Sequence, residues 1–110
     1  MNERFPRIRA DALQAQTPIL DVRRCPHEYQ IRGALRYDPQ ALLGAQHVSL
    51  PIDKKEPMAL YGDSEDIVRA VVSKLRHEGY AASVLEGGIE NWRDNGLPVE
   101  ELRPVQTVPA

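Results

Sequence analysis

Thiols are almost absent from this chain, with Cys25 the one cysteine among 110 residues. A lone thiol cannot close an internal disulfide, and a reducing cytoplasm suits such a chain best. Long apolar runs are missing too. Nothing approaches the roughly 20 consecutive apolar residues that a membrane span needs. The opening stretch from Met1 to Pro6 has no apolar segment of the kind a signal peptide requires. The expected address is therefore cytoplasmic, with no membrane contact. Positive charge is not in excess either: the net charge of −2 offers no basic field, which argues against nucleic acid as a partner. His27, His47 and His77 have no ligand spacing to one another or to Cys25, so neither a metal site nor a cofactor is expected. There is no internal repeat and no low-complexity segment.

What is present is an ordinary globular composition, 42% apolar and 27% charged, in a chain long enough for one domain with one core. The expected domain covers residues 1–100, and 101–110 reads as a flexible tail with few large apolar side chains. Residues 7–9 suggest a short first strand, followed by a helical turn from Asp11 to Gln14. Thr17 to Val22 is the clearest early strand. Cys25-Pro26 reads as the start of a short helix through Tyr29, with proline at its favoured first position. Gly33 to Tyr37 reads as a strand, Asp38 to Leu43 as a helical turn and residues 44–57 as mostly loop. A buried strand from Pro57 to Tyr61 is followed by an amphipathic helix from Asp63 to Glu78. On that helix Ile67, Val68, Val71, Val72 and Leu75 recur at helical spacing. Asp63 is the expected cap, with Asp66 completing a capping box, and Gly79 the expected terminator. Ala82 to Leu85 is the last expected strand. It leads through the turn at Gly87-Gly88 into a short helix whose Trp92 reads as core. Strands separated by helices predict an α/β fold with a parallel sheet covered on both faces.

Several of these stretches together resemble the rhodanese-like sulfurtransferase domains. They are Ile19 to Arg23 with Glu28-Tyr29 and Gly33-Ala34, then Ala59 to Tyr61 and Gly79-Tyr80. Leu85 to Ile89, Asn91-Trp92 and Gly96 to Pro98 complete the set, over roughly residues 7–100. The resemblance implies a five-stranded parallel sheet of order 1-5-4-2-3 with helices on both faces. It also implies that Asp21 and Arg23 form a structural pair at a strand end. Active relatives carry a cysteine directly after the fourth strand, in a loop of Cys-X-X-Gly-X-Arg-Ser type, which accepts sulfur as a persulfide. The thiolate is stabilised there by loop amides and a helix N-terminus.

In this chain the corresponding loop is Gly62, Asp63, Ser64, Glu65, Asp66, Ile67 and Val68. Gly62 stands at the cysteine position, Ile67 at that of the arginine and Val68 at that of the serine. The nucleophile is gone, and phosphatases of similar fold, which need a Cys-X5-Arg signature, are excluded on the same ground. Two like charges about 4 Å apart repel by roughly 4 kcal/mol at an intermediate dielectric. Asp63, Glu65 and Asp66 therefore oppose an anionic sulfur donor, even if their first role is to favour the helix start. A cation or amine ligand is a minor alternative for this loop, free carboxylates alone being a weak metal signal. The reading that follows is a catalytically inactive rhodanese-like domain with a binding or regulatory role, serving a protein partner or a small ligand. Two rivals remain. Cys25, after Arg23-Arg24 and before Pro26, is placed to act as a displaced persulfide carrier in a sulfurtransferase. The other rival is a purely structural assembly subunit.

Overall fold

Alternation of side chains along two short buried strands organises the fold. The computed structural model describes residues 6–14, 16–24 and 27–102. β2 (Ile19–Asp21) and β5 (Met58–Tyr61) lie side by side in parallel, with Ile19 opposite Ala59 and Asp21 opposite Tyr61. Successive strand residues point to opposite faces. Leu20, Val22, Met58 and Leu60 therefore join one buried cluster, while Ile19, Ala59 and Tyr61 join another. β1 (Arg7–Ile8), β4 (Leu35–Arg36) and β6 (Ala82–Leu85) complete a five-stranded sheet of order β1-β6-β5-β2-β4, every pairing parallel. Counted among the parallel strands alone, this is the expected order 1-5-4-2-3.

α1 (Pro39–Gly44) and α2 (Glu65–His77) supply side chains to the cluster that contains Leu20 and Leu60. Val68, Val71, Val72 and Leu75 form the buried stripe of α2, each burial stabilising by about 1.5–3 kcal/mol. Gly79, at φ +99°, supplies the left-handed residue that ends the helix. α3 (Gly88–Asp94) covers the opposite face, where buried Trp92 donates from Nε1 to the Pro98 carbonyl at 2.8 Å.

Three expectations are corrected. No helix runs into Tyr29. β3 (Tyr29–Ile31) begins there and pairs antiparallel with β7 (Val99–Glu101) as a separate ribbon. The backbone groups of this stretch are satisfied by a distant segment, a pairing that local helix signals cannot reveal. The expected start of that helix, Cys25 and Pro26, lies outside the described residues. At the other end, pairing reaches Glu101, and Leu102 N donates to the Glu28 carbonyl at 2.7 Å, inside the stretch expected to be tail. Residues 103–110 lie outside the described part. Finally, the cap of α2 is Ser64, whose Oγ accepts from Ile67 N at 3.3 Å. Asp63 is engaged elsewhere, so the capping box with Asp66 does not form.

Candidate functional site

The chain connections turn to opposite sides of the sheet between β2 and β5: β2 leads to β4 on one side, β5 to β6 on the other. In open parallel sheets the crevice at such a switch point, beyond the carboxyl ends of the strands, is where ligands bind. Val22 and Gly62 stand there as immediate successors of the two strands, and Val22 N donates to the Tyr61 carbonyl at 2.9 Å.

The floor of the crevice is a buried polar network. Asp21 has no exposed surface, and its two carboxylate oxygens accept from the Arg23 guanidinium at 2.7 to 3.0 Å. Arg23 also donates to the Tyr29 carbonyl at 2.6 Å and lies over the Tyr61 ring, 5.2 Å from its centre. The Tyr61 hydroxyl donates to Asp21 Oδ2 at 2.9 Å and accepts from Ile31 N at 3.0 Å, which joins β5 to the β3–β7 ribbon. Burial raises the Tyr61 pKa well above the phenol value, and the neighbouring Asp21 charge adds to that. Burial works against the Arg23 charge, but the hydrogen bonds and charge of Asp21 outweigh it and the pKa rises.

The rim is the Gly62-to-Asp66 loop. Asp63 spans two loops: Oδ2 accepts from Arg24 N at 2.7 Å, and Oδ1 lies 3.0 Å from His27 Nε2. Partial burial would raise its pKa, but the Arg24 amide and His27 overcome this and lower it. Glu65 accepts both terminal nitrogens of Arg7, at 3.0 and 2.7 Å, and that bond lowers its pKa. Asp66 is exposed at the start of α2. Ile67 is partly buried against the core, and Val68 is buried within it.

Gly62 is enclosed. A Cβ placed there would meet Val68 Cγ2 at 2.9 Å, Val22 Cγ2 at 3.1 Å and the Val22 carbonyl oxygen at 3.4 Å. Val68 is β-branched and set in a helix, so its side chain has little rotameric freedom to retreat. The space that the first carbon of a nucleophile needs is occupied.

Two hollows open from this loop and share Gly62, Asp63, Ile89 and Glu90. One, of about 270 Å³, extends over Ser64, Glu65 and Val68 to Gly87-Gly88. Among the described residues no Lys, Arg, His or Cys lines it, and three carboxylates do: Asp63, Glu65 and Glu90. The other, of about 440 Å³, is bounded by Arg23, His27, Glu28, Tyr29 and Arg93. It carries both signs of charge. Among the described residues no group of His, Cys, Asp or Glu gathers as a metal-holding cluster, and no helix is long and apolar enough to cross a membrane.

The structure thus brings together Asp21, Arg23 and the whole Gly62-to-Val68 loop, while Cys25 lies outside the described residues. Sequence reasoning overlooked Tyr61, the hub of the floor. The available signal was a polar-tipped aromatic closing a buried strand, where its hydroxyl must find partners. The ties from Arg24, His27 and Arg7 to the loop carboxylates join residues distant in sequence, and no local pattern encodes them.

A parallel sheet covered on both faces, with an enclosed loop at its switch point, defines a class of α/β domain that many families share. The particular family is settled by comparison: residues 7–95 match the sequence model of the rhodanese-like domain, and the chain belongs to that family. Among solved structures it is similar to a rhodanese-like domain of an Anabaena protein, with 26% identity and a TM-score of 0.71, covering 84% of this chain and 99% of that one. It is similar also to a full-length protein from Lactobacillus plantarum, at 26% identity and a TM-score of 0.67 over 79% of this chain and 74% of the other. A rhodanese-related protein from Thermoplasma volcanium shares the fold at 24% identity, with a TM-score of 0.69 over 87% and 98% of the two chains. No curated protein matches the chain.

Proposed function

We propose that this rhodanese-like domain is catalytically inactive in sulfur transfer and serves a binding or regulatory role toward a protein partner or a small ligand. The observation that carries this reading is the closure of Gly62. The position after β5 lacks a thiol, and Val68 and Val22 fill the space that its Cβ would occupy. Charge supports the same reading. Asp63, Glu65 and Glu90 line the adjoining hollow, and among the described residues no Lys, Arg or His does, an environment that disfavours a divalent donor such as thiosulfate. Pairing with His27 and Arg7 moderates two of those charges but presents no anion-binding group to the hollow.

A second reading is favoured by one observation. Arg24 and His27, which flank Cys25 and Pro26 in sequence, are both held against Asp63. That position of its two neighbours is what favours a Cys25 persulfide carrier. Sulfur transfer from thiosulfate to cyanide, measured on the native chain and on Cys25→Ser, separates the two. The expected result is background turnover in both, with no persulfide on Cys25 by mass spectrometry. Turnover that disappears in Cys25→Ser would replace the binding role with an enzyme.

A further inference from the structure

Beside the acidic hollow, on the far side of β2, the same strand-end edge carries a cleft of opposite character. It lies where β2 and β4 end, has a volume of about 350 Å³ and is lined by Arg23, Arg24, Arg36, Tyr37 and Asp38. Three of its five lining residues are arginines.

Those arginines differ in how they are used. Arg23 is buried and committed to Asp21 and Tyr29. The exposed side chains of Arg24 and Arg36 form no hydrogen bond, ion pair or ring contact among the described residues. Elsewhere among the described residues, only the exposed Arg32 side chain is likewise without such a contact. Arg7 and Arg69 bond to Glu65, Arg9 lies against Asp11, Arg76 donates to the Ala82 carbonyl and Arg93 rests on Tyr29. Two unengaged guanidinium groups in one cleft are the exception.

The backbone beneath both is fixed. Arg24 N is tied to Asp63. Arg36 sits in the sheet opposite Asp21, and the next residue, Tyr37, donates its N–H to the Asp21 carbonyl at 3.0 Å. The acid in the wall, Asp38, is already engaged at the start of α1, where it accepts from Gln40 N at 2.9 Å. Arg36 is thus held on β4 and Arg24 in the loop that follows β2, and the carboxylate in the wall has a partner of its own.

We propose that this cleft binds the phosphate group of a small phosphorylated molecule. A single arginine fork saturates a carboxylate through two parallel bonds, whereas two guanidinium groups from different segments suit a tetrahedral anion with three acceptor oxygens. The volume exceeds that of a bare phosphate, so a small organic body fits beside it. This site is independent of whether Cys25 carries sulfur.

The test is an NMR titration of the full chain at low salt with inorganic phosphate, glycerol 3-phosphate and acetate. Saturable shifts are expected at the amides of residues 23, 24 and 36–38 with both phosphates, and none with acetate. Binding should weaken about tenfold in Arg24→Gln and again in Arg36→Gln, as expected for loss of a charge-assisted hydrogen bond. It should fade as salt is raised. Both side chains are exposed, so the variants should keep the native spectrum elsewhere, and a variant that loses it is replaced by the lysine substitution. The proposal is overturned by phosphate shifts that fail to saturate, by binding that survives both substitutions, or by acetate binding as well as phosphate.

Discussion

The floor and the rim of the crevice are built from similar groups under opposite rules. In the floor, Asp21, Arg23 and Tyr61 are buried and each bonds to the others or to backbone. In the rim, Asp63 and Glu65 are exposed enough for water to share them, and each is held by one partner segment. A buried charge without a partner is very costly, whereas an exposed one hardly matters. Changing a charge in the floor should therefore cost far more than changing an exposed carboxylate of the rim. The difference explains how the fold can persist while the exposed carboxylates of this loop vary.

The largest effect should come from breaking the floor. Asp21→Asn keeps the shape but leaves the Arg23 guanidinium buried beside a neutral amide, with side-chain exposures of 5% and 0% for the pair. Removing one partner of a buried ion pair costs about 3–5 kcal/mol. Urea denaturation should report a loss in that range, and a loss below about 1 kcal/mol, the typical value of an exposed pair, would erase the distinction between floor and rim.

Gly62→Cys comes next, because it lies at the seam. The new Cβ must displace Val68 or Val22, and overpacking of a filled site costs about 1–3 kcal/mol. Gly62→Cys should be destabilised, react slowly with a thiol reagent and show little sulfur transfer. Adding Val68→Ala removes the atom at 2.9 Å and should speed the thiol reaction. The acidic hollow is unchanged by that second substitution, so transfer from thiosulfate should stay low. Brisk transfer in Gly62→Cys alone would show that neither packing nor charge closes the site. If it appears only in the double variant, packing is the barrier and the carboxylates are not.

The same division explains what the sequence revealed. Periodicity of apolar residues exposed α2 and β5, since core-facing side chains repeat at intervals of two or of three to four. Resemblance to the family, not periodicity, implied the sheet order and marked the loop, where Gly62 and its acids stand out against the family's pattern; local reading went no further. It failed at Tyr29, where pairing with Val99 to Glu101 joins segments some seventy positions apart. It failed also at the cap of α2. Asp63 and Ser64 are equally good caps by residue type, and the choice was made by Arg24 and His27 drawing Asp63 away. Local chemistry is legible in a sequence, and competition between distant partners for one carboxylate is not.

The smallest effect should come from that carboxylate. Arg24 N and His27 lower the Asp63 pKa from its ordinary 3.8, so the folded state holds the ionised form more strongly than the unfolded chain does. For a lowered acid, the stability gained is complete above the unfolded value and is lost as pH falls through the folded one. Asp63→Asn should therefore be slightly less stable than the native chain near neutral pH, with the difference shrinking below about pH 4. The acid limb will not vanish in the variant. Glu65, Glu78 and Glu100 are also lowered, chiefly by the Arg7 side chain, the Val48 amide and the Gln30 side chain respectively. Acid unfolding of the two proteins, followed side by side, should thus differ in slope below pH 4 and converge at the bottom. Superimposable curves would mean that the ties from Arg24 and His27 to Asp63 do not hold the rim in solution.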